Sequence, residues 1–419
     1  MLGAIIGDIV GSVYEFHNTK DYNFHLLTTK STFTDDTVMT LAVAKWLTED
    51  DSHSHEYLVK CMKELGIRHP NRGYGGSFKR WLINPNPQPY NSWGNGSGMR
   101  VSPVGFYAKT LDEALELAKI SAEVTHDHLE GIKGAQAIAA AVFLARQKKS
   151  KSEIKTYIED RFDYDLHYTI AEMRPFYEYD VSCMGSVPPA IIAFLDSHDF
   201  EDAIRLAVSV GGDSDTIGAM TGAIAQAAYE MPKNLAGYCY GMLTPDLRAI
   251  LNAFENKMGI TTDEPFDLDR FVAAQSHDYE TALSEMKSGQ KLNHWIWYVF
   301  PQLRGLGHSN YSWIYGLADE EEAKAYIAHP VLGHRLREIT EVLLTHTDED
   351  AQALMGSPID AVKLRSSMTL FSAVSPNDIF QKVLDAFFAG KGDARTLDMM
   401  NSKNPMPPLS SNSKRKRAL

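Results

Sequence analysis

The chain opens with the sequence MLGAIIGDIVGSVYEF, residues 1–16. Glycines recur in it at positions 3, 7 and 11, a spacing that places them on one face of a helix. A face without side chains allows very close helix packing, although glycine weakens an isolated helix. Asp8 and Glu15 are seven residues apart and would share nearly the same face. We therefore expect a buried helix that carries two carboxylates on its glycine-lined face.

Two short acidic motifs follow, Thr34-Asp35-Asp36-Thr37 and Gly211-Gly212-Asp213-Ser214-Asp215-Thr216. Each precedes an apolar run with helical spacing, where a Ser, Thr or Asp commonly caps the first turn of the helix. Capping needs one side chain, whereas each motif supplies two carboxylates, which repel each other unless a cation compensates them. Carboxylate and hydroxyl oxygens are ligands of Mg²⁺, Mn²⁺ or Ca²⁺. If the fold brings the motifs together they could hold a pair of divalent ions; otherwise each is a helix cap.

A glycine-rich segment, Gly94-Asn95-Gly96-Ser97-Gly98-Met99-Arg100, lies between the acidic motifs. Its backbone N–H groups and its guanidinium could approach a phosphate or a sugar. The same composition is also typical of an ordinary tight turn. The pair Thr125-His126 follows, and a histidine in such a setting is more often structural than catalytic. Both interpretations stay open for both segments.

The apolar pattern indicates a mainly α protein. Apolar residues recur at three-to-four-residue spacing through the first 260 residues, and strand-like alternation is scarce. Helices are predicted over 111–124, 131–146, 188–195, 200–210, 216–229, 319–328 and 331–344. A polar linker at 259–267 and a rise in aromatic content after it indicate two domains. The predicted units are a domain at 1–262, a smaller, mainly helical domain at 264–398, and a disordered basic tail at 399–419 that contains Lys414-Arg415-Lys416-Arg417.

The composition of the 419 residues excludes several classes of protein. The 41 Lys and Arg against 54 Asp and Glu give a formal net charge of −13, which argues against nucleic acid as a partner except as a modified substrate. Cys61, Cys183 and Cys239 are too scattered for a disulfide framework or a zinc cluster, so we expect a reducing, cytoplasmic location. The apolar stretches fall short of the roughly 20 residues that span a bilayer, so we expect no membrane partner.

In combination, these motifs resemble the ADP-ribosylglycohydrolase family over about residues 1–260. They occur in the family's order, namely Gly7-Asp8, Gly11, Glu15-Phe16, Thr34-Asp35-Asp36-Thr37, Gly94-Asn95-Gly96-Ser97, Met99-Arg100, Thr125-His126 and Gly211–Thr216. Ser214 stands where the family usually has Thr, a change that keeps the hydroxyl. The resemblance implies an all-helical fold with a centre of two Mg²⁺ or Mn²⁺ ions. The metal ligands that it implies are Thr34, Asp35, Asp36, Asp213, Asp215 and Thr216.

The same resemblance implies roles in catalysis and substrate binding. It makes Glu15, Asp36 and Asp213 catalytic, with Glu15 acting beside the metals on the scissile bond or its water. The residues that it places along ADP-ribose are Gly94, Asn95, Gly96, Ser97, Met99, Arg100 and His126. Loss of a metal ligand should then nearly abolish turnover, whereas loss of Arg100 should mainly weaken binding.

The second domain resembles the bacterial domain-of-unknown-function family 1810, which is compact and mainly helical. The motifs that carry this resemblance are Phe266-Asp267-Leu268-x-Arg270-Phe271, His294-Trp295-x-Trp297-x-x-Phe300-Pro301-Gln302, Gly305-Leu306-Gly307-x-Ser309, His329-Pro330-Val331-Leu332-Gly333 and Lys363-Leu364-Arg365-Ser366-Ser367. The resemblance implies no activity. The aromatic run is typical of a core, but polar groups among the aromatics could line an anionic or nucleotide-like pocket, namely His294, Gln302, Lys363, Arg365 and Ser366.

The sequence thus favours a metal-dependent hydrolase that removes ADP-ribose from a protein side chain or a small molecule. Cleavage of an N- or O-glycosidic bond at the ribose passes through an oxocarbenium-like state, which needs leaving-group activation and a nucleophilic water. Three alternatives stay open: a two-metal phosphoesterase acting on a nucleotide, a non-catalytic ADP-ribose-binding protein, and a principal activity in the second domain. The complete set of ligand-type residues argues against the second of these.

Overall fold

Helices make up the regular secondary structure of the described residues, which are 1–28, 30–260 and 266–402 of the computed structural model. The β pairing in those ranges is limited to two isolated bridges, Gly94 with Ser182 and Leu303 with Leu317. The mainly α fold expected from the sequence is therefore confirmed. Contacts divide the chain into two compact units, Met1–Asp263 and Glu264–Leu419.

The first unit is built from α-helices joined by loops. In chain order they are α1 (Leu2–Gly11), α2 (Asp35–Glu49), α3 (His55–Arg68), α4 (Gly76–Ile83), α5 (Gly96–Met99), α6 (Ser102–Tyr107), α7 (Leu111–Glu123), α8 (Leu129–Arg146), α9 (Lys151–Phe162), α10 (Ile170–Met173), α11 (Cys183–Asp196), α12 (Phe200–Ser209), α13 (Ser214–Ala228), α14 (Lys233–Tyr240) and α15 (Pro245–Lys257). The five helices predicted here are all present. The one predicted from residue 188 starts at Cys183, because the Ser182 hydroxyl caps it by accepting from Gly185 N–H.

The helix α1 packs antiparallel along α13 with almost no space between the backbones. A Cβ atom at Gly7 would lie 1.9 Å from the Gly218 carbonyl oxygen, and one at Gly3 would lie 2.2 Å from that of Gly222. This is the close approach that the glycine spacing predicts. Because the pair is antiparallel, the end of α1 lies beside the start of α13.

The structure corrects the expectation that Asp8 and Glu15 share one helix face. The helix ends at Gly11, and Glu15 lies in the turns that follow it. The Ser12 hydroxyl donates to the Ile9 carbonyl and accepts from Thr32 N–H, so its side chain ties the end of the helix to the next segment. The spacing of residues in the sequence does not predict hydrogen bonds of this kind, so it does not predict where the helix ends.

The second unit is also helical. Its helices are α16 (Asp269–Lys287), α17 (Ile296–Val299), α18 (Asn310–Ile314), α19 (Glu320–Ala328), α20 (Leu332–Leu343), α21 (Ala351–Leu354), α22 (Pro358–Val374), α23 (Phe380–Phe388) and α24 (Ala394–Asn401), with a 3₁₀ turn at Leu344–His346. The helices predicted over 319–328 and 331–344 correspond to α19 and α20. The break predicted at Pro330 separates them.

Two predicted segments fall wholly or partly outside the described residues. Residues 261–265 of the predicted linker and 403–419 of the predicted tail, including its basic run, lie there. The first three residues of that tail belong to α24, which continues to Asn401. Each helix within the described ranges is too short or too polar to cross a bilayer.

Candidate metal centre and active site

The two acidic motifs meet at the beginnings of two helices. Thr34 is the N-cap of α2, and Asp213 occupies the same position before α13. The Thr216 hydroxyl donates to Asp36 Oδ2 over 3.3 Å, a contact between residues 180 positions apart. Glu15, Asp213 and Asp215 each offer a carboxylate oxygen, and these oxygens lie within 4.8 Å of one another. The fold therefore brings the motifs together, as the metal interpretation requires and the capping interpretation does not.

The buried Asp8 side chain organises the first motif. Its carboxylate accepts from the N–H groups of Thr34 and Thr37, at 2.9 and 3.1 Å, and from both threonine hydroxyls. Burial raises the pKa of Asp8 to about 6, although these hydrogen bonds oppose the shift. Because its oxygens are engaged by the motif, Asp8 acts as a positioning residue. The glycine spacing predicts the position of this carboxylate on the helix but not this role.

A glycine turn places Asp213 at the centre. Gly211 and Gly212 have φ of +83° and +73°, the left-handed region that favours glycine. The Asn18 carboxamide holds the turn, accepting from Gly212 N–H and donating to its carbonyl, both at 2.8 Å. Asn18 is a supporting residue that sequence spacing did not reveal.

The centre carries an excess of negative charge. Burial, then repulsion from Asp8 and Asp35, raises the pKa of Asp36 well above its usual range. Burial, then repulsion from Asp213 and Asp36, does the same for Asp215. Asp36 Oδ1 is buried and has no hydrogen-bond partner among the described residues. A buried carboxylate oxygen without a donor is costly, so the arrangement favours a cation beside it.

The donor set fits a hard divalent cation. Carboxylate and hydroxyl oxygens dominate the cluster, and these are the ligands that Mg²⁺ and Mn²⁺ prefer. The tightest carboxylate triad includes Glu15, which the resemblance made catalytic and did not count as a ligand. Asp35 lies at the margin, half-buried, with Oδ1 2.7 Å from where a Cβ at Gly73 would stand.

The glycine-rich segment reaches the centre through Asn95. Its amide donates to Asp213 Oδ2 at 2.6 Å and to the Ser186 hydroxyl at 2.9 Å. Gly94 forms the bridge with Ser182, and Gly96 begins the short helix α5. The segment thus orients one of the central carboxylates.

Three predicted ligand-contacting side chains point into the protein. The Arg100 guanidinium, 1% exposed, donates to the Ser121 carbonyl and the Thr125 hydroxyl at 2.7 and 2.8 Å. The Ser97 hydroxyl donates to the Gly131 carbonyl, and Met99 is also buried. These contacts differ from the expected contacts with ADP-ribose. Sequence reasoning could not foresee this, because the depth of a loop depends on the helices around it.

His126 supports the same segment. Its Nδ1 lies 2.7 Å from the Thr125 hydroxyl, and its Nε2 would be 3.1 Å from a Cβ at Gly96. Burial lowers the pKa of His126 well below its usual value, so the ring is neutral. The absence of a side chain at Gly96 is what lets this ring approach.

An aromatic pair beside Glu15 was not predicted as a unit. The Tyr179 hydroxyl donates to Glu15 Oε1 over 3.3 Å, and the ring stacks on Phe16 with centroids 6.3 Å apart. Phe16 is 75% exposed and Tyr179 47% exposed. Large exposed aromatic faces next to a charged centre are unusual on a protein surface, and a sequence pattern does not reveal them.

The fold and the centre define a class: an all-helical protein in which the starts of two helices bring together carboxylates and hydroxyls that could hold a metal ion. The sequence profile of the ADP-ribosylglycohydrolase family matches residues 1–258, and the chain belongs to that family. Members of this family are metal-dependent. The profile named protein of unknown function (DUF1810) matches residues 265–400. Both resemblances drawn from the motifs are confirmed.

Individual proteins are similar to one unit or the other. ADP-ribosylhydrolase ARH3 of Homo sapiens is 29% identical, over 59% of this chain and 90% of its own length. The structure of an ADP-ribosylglycohydrolase-related protein complex is 24% identical over 61% of this chain and 97% of that chain, with a TM-score of 0.46. A conserved hypothetical protein from Mycobacterium tuberculosis is 41% identical over 33% of this chain and 99% of its own, with a TM-score of 0.32.

Proposed function

We propose that the protein is a metal-dependent ADP-ribosylhydrolase that cleaves the N- or O-glycosidic bond between ADP-ribose and a protein side chain or a small-molecule acceptor. Family membership and the similarity to an ADP-ribosylhydrolase support the reaction class. The observation that carries the proposal is the meeting of the two acidic motifs, marked by the contact between Thr216 and Asp36 and by the unpartnered Asp36 Oδ1.

Two Mg²⁺ or Mn²⁺ ions would be held by the carboxylates and hydroxyls of the two motifs, namely Thr34, Asp35, Asp36, Asp213, Asp215 and Thr216. Such ions, when bound, orient ribose hydroxyls and lower the pKa of water. Asp8 holds the first motif in place, and Asn95 fixes one oxygen of Asp213. These contacts set the geometry of the ligand oxygens before any cation arrives.

In this proposal Glu15 acts on the reacting atoms. It is the half-buried member of the carboxylate triad, so it can meet both the substrate and water, whereas Asp213 and Asp215 are buried. Tyr179 donates to one of its oxygens and leaves the other for a proton from the attacking water or for assistance to the leaving group. The exposed faces of Phe16 and Tyr179 offer a surface for a sugar or base of the substrate.

The remaining predicted substrate residues take a supporting role in this proposal. Ser97, Arg100 and His126 hold the glycine-rich segment from inside. Gly94 and Gly96 supply backbone close to the centre. Asn95 links that backbone to Asp213.

The test is release of ADP-ribose from arginine-, serine- and nucleobase-linked substrates with Mg²⁺, with Mn²⁺ and with EDTA, for the full chain and for Asp213→Asn. We expect release that requires a divalent cation and disappears in the variant. Release of inorganic phosphate or AMP would instead identify a phosphoesterase. Tight ADP-ribose binding without turnover on any substrate would identify a binding protein and contradict the proposal.

A further inference from the structure

A cavity of about 540 Å³ in the second unit gathers three motif segments that the proposed function does not use. It is lined by Trp297 and Gln302 from the first segment, by 306–309 from the second, and by residues of the 358–366 segment at the start of α22. Asp393 and Arg395 complete the wall. Drug-sized and nucleotide-sized ligands occupy cavities of roughly 300–1,000 Å³.

The Gln302 carboxamide is the strongest sign of a ligand. The residue is 7% exposed and lines the cavity, yet its amide makes no hydrogen bond to any described residue. The amide atoms stay accessible from the cavity and are not among the fully enclosed polar atoms that lack a partner. They therefore offer donors and an acceptor to a molecule that occupies the cavity. A group with complementary donors and acceptors, such as a base edge or a ribose, would satisfy it.

The polar wall carries an excess of positive charge. Of the lining residues, Lys363 and Arg395 are cations and Asp393 is an anion. Lys363 shares the Asp360 carboxylate, at 2.7 Å, with Lys291, which lies outside the lining, so its charge is only partly compensated. Arg395 makes no ion pair within the described ranges. Asp393 is already engaged, since one of its oxygens accepts from both the N–H and the hydroxyl of Thr396. Cations that line a cavity suit a phosphate.

Part of the lining is apolar and open. Ile359 and Val362 are 69% and 57% exposed, although both lie on a packed helix. The Trp297 ring lies beneath the Lys363 ammonium, 3.5 Å from its centroid, which fixes the cation beside an aromatic surface. The wall therefore joins an apolar surface to a cation at its edge, as a base linked to a phosphate requires.

We propose that this cavity binds a phosphorylated nucleoside, with its phosphate toward Lys363 and Arg395 and its base or ribose toward Gln302. This site belongs to the second unit alone and does not depend on the hydrolase activity of the first. The ligand chemistry is shared by a free mononucleotide and by ADP-ribose, and the arms of the experiment separate them.

The test is a binding titration of the full chain with AMP, ADP-ribose, adenosine and inorganic phosphate, combined with hydrogen exchange to locate the site. We expect AMP or ADP-ribose to protect the 295–309 and 358–366 segments. Gln302→Leu and Lys363→Met should each weaken that binding about tenfold, the loss of one hydrogen bond or ion pair. The matched surface variants Gln352→Leu and Lys324→Met should leave it unchanged.

Defined results would overturn the proposal. They are protection of neither segment by AMP and ADP-ribose, protection by phosphate with the same affinity as AMP, or unchanged affinity in Gln302→Leu. Because Lys363 also pairs with Asp360, Arg395→Met is the second cation variant, and we expect several-fold weaker binding from it without loss of folding. Loss of ADP-ribose release would test only the first unit, so the two proposals fail separately.

Discussion

Buried carboxylates are arranged in opposite ways in the two units. In the second unit, Glu322 is 2% exposed and lies 2.6 Å from the Arg270 guanidinium. In the first unit, Asp36 and Asp215 face other carboxylates, and neither forms an ion pair with Lys or Arg in the described part of the chain. A buried carboxylate that is paired with a cation is compatible with a stable fold. A cluster of buried carboxylates without such a partner lowers stability, which indicates that a bound metal ion compensates the charge.

The pKa shifts follow the same division. Burial raises the pKa of Asp36 and Asp215, and neighbouring carboxylates raise it further. Burial also acts on Asp360, but hydrogen bonds from Lys291 and Lys363 outweigh it and lower the pKa of that group. The direction of a shift therefore separates a carboxylate that lacks a positive partner from one that has two.

The largest effect should come from removing one carboxylate of the uncompensated cluster. We expect Asp215→Asn to lower ADP-ribose release on the order of 10³-fold or more, which corresponds to about 4 kcal/mol of lost transition-state stabilisation. The measurement is kcat/KM at saturating Mg²⁺ or Mn²⁺. Asp160→Asn, at an exposed carboxylate of α9, is the control and should retain full activity.

A stability experiment can test directly whether the buried carboxylates of the two units differ in this way. Glu322→Gln should lower the free energy of unfolding of the second unit by about 3 kcal/mol, because the largely enclosed Arg270 guanidinium loses its carboxylate partner and keeps carbonyl acceptors, such as that of Ile314. Asp36→Asn should raise that of the metal-free first unit by about 1 kcal/mol, because it removes a repelling charge. Denaturant unfolding in EDTA measures both. A change of the same sign in the free energy of unfolding of both variants would contradict the distinction between paired and unpaired carboxylates.

Divalent cations should stabilise only the unit that holds the acidic centre. At 100 times its Kd, a bound ion adds about 2.7 kcal/mol to the free energy of unfolding. We expect Mg²⁺ or Mn²⁺ to raise the melting temperature of the first unit and to leave that of the second unchanged. Calorimetry with and without EDTA checks this, and Asp213→Asn should abolish the increase.

A buried cation provides a fourth test with a smaller expected effect. Arg100 is held by a carbonyl and a hydroxyl, and lysine keeps its charge but not the planar set of donors. Arg100→Lys should therefore lower the free energy of unfolding of the first unit by about 1–2 kcal/mol. The KM should stay near that of the unaltered chain. A large rise in KM with unchanged stability would restore a role in binding ADP-ribose.

The smallest expected effect is a loss of stability of the second unit at low pH. Burial opposes ionisation of Glu285, but N–H groups of Leu292, Asn293 and Trp295 outweigh it and lower its pKa. A lowered folded pKa contributes stability above the ordinary value of about 4.3, and this stability is lost as the pH falls through the folded pKa. Trp295 fluorescence should report this loss in the second unit, and Glu285→Gln should flatten the pH profile.

Much of the fold follows from local pattern. Apolar spacing located α7, α8, α12 and α13, since an amphipathic or apolar helix shows its period in the sequence. The glycines at 3, 7 and 11 predicted a close helix partner, and Gly218 of α13 meets one of them. The candidate site was located in the same way, because paired carboxylates before a helix are more than capping needs.

Local pattern failed where a residue's environment comes from distant segments. It continued the first helix to Glu15, although Ser12 ties the chain to Thr32 after Gly11. It also could not show that the Arg100 guanidinium, predicted to lie along the substrate, donates to Ser121 of α7 and to Thr125. Gln302 was a candidate polar group within an aromatic motif, and only the tertiary structure shows that it lines a cavity.

The sequence by itself determined the helical class and the residue types of an oxygen-ligand centre, because these depend on periodicity and on chemistry that neighbours in the chain carry. Its ordered motifs also indicated membership of the ADP-ribosylglycohydrolase family and a match of the second unit to the DUF1810 profile. The tertiary structure decided which carboxylates face one another, which polar side chains are enclosed and where a cavity opens in the second unit. The physical reason is that desolvation and charge repulsion depend on distance in space, and helix packing joins residues 180 positions apart.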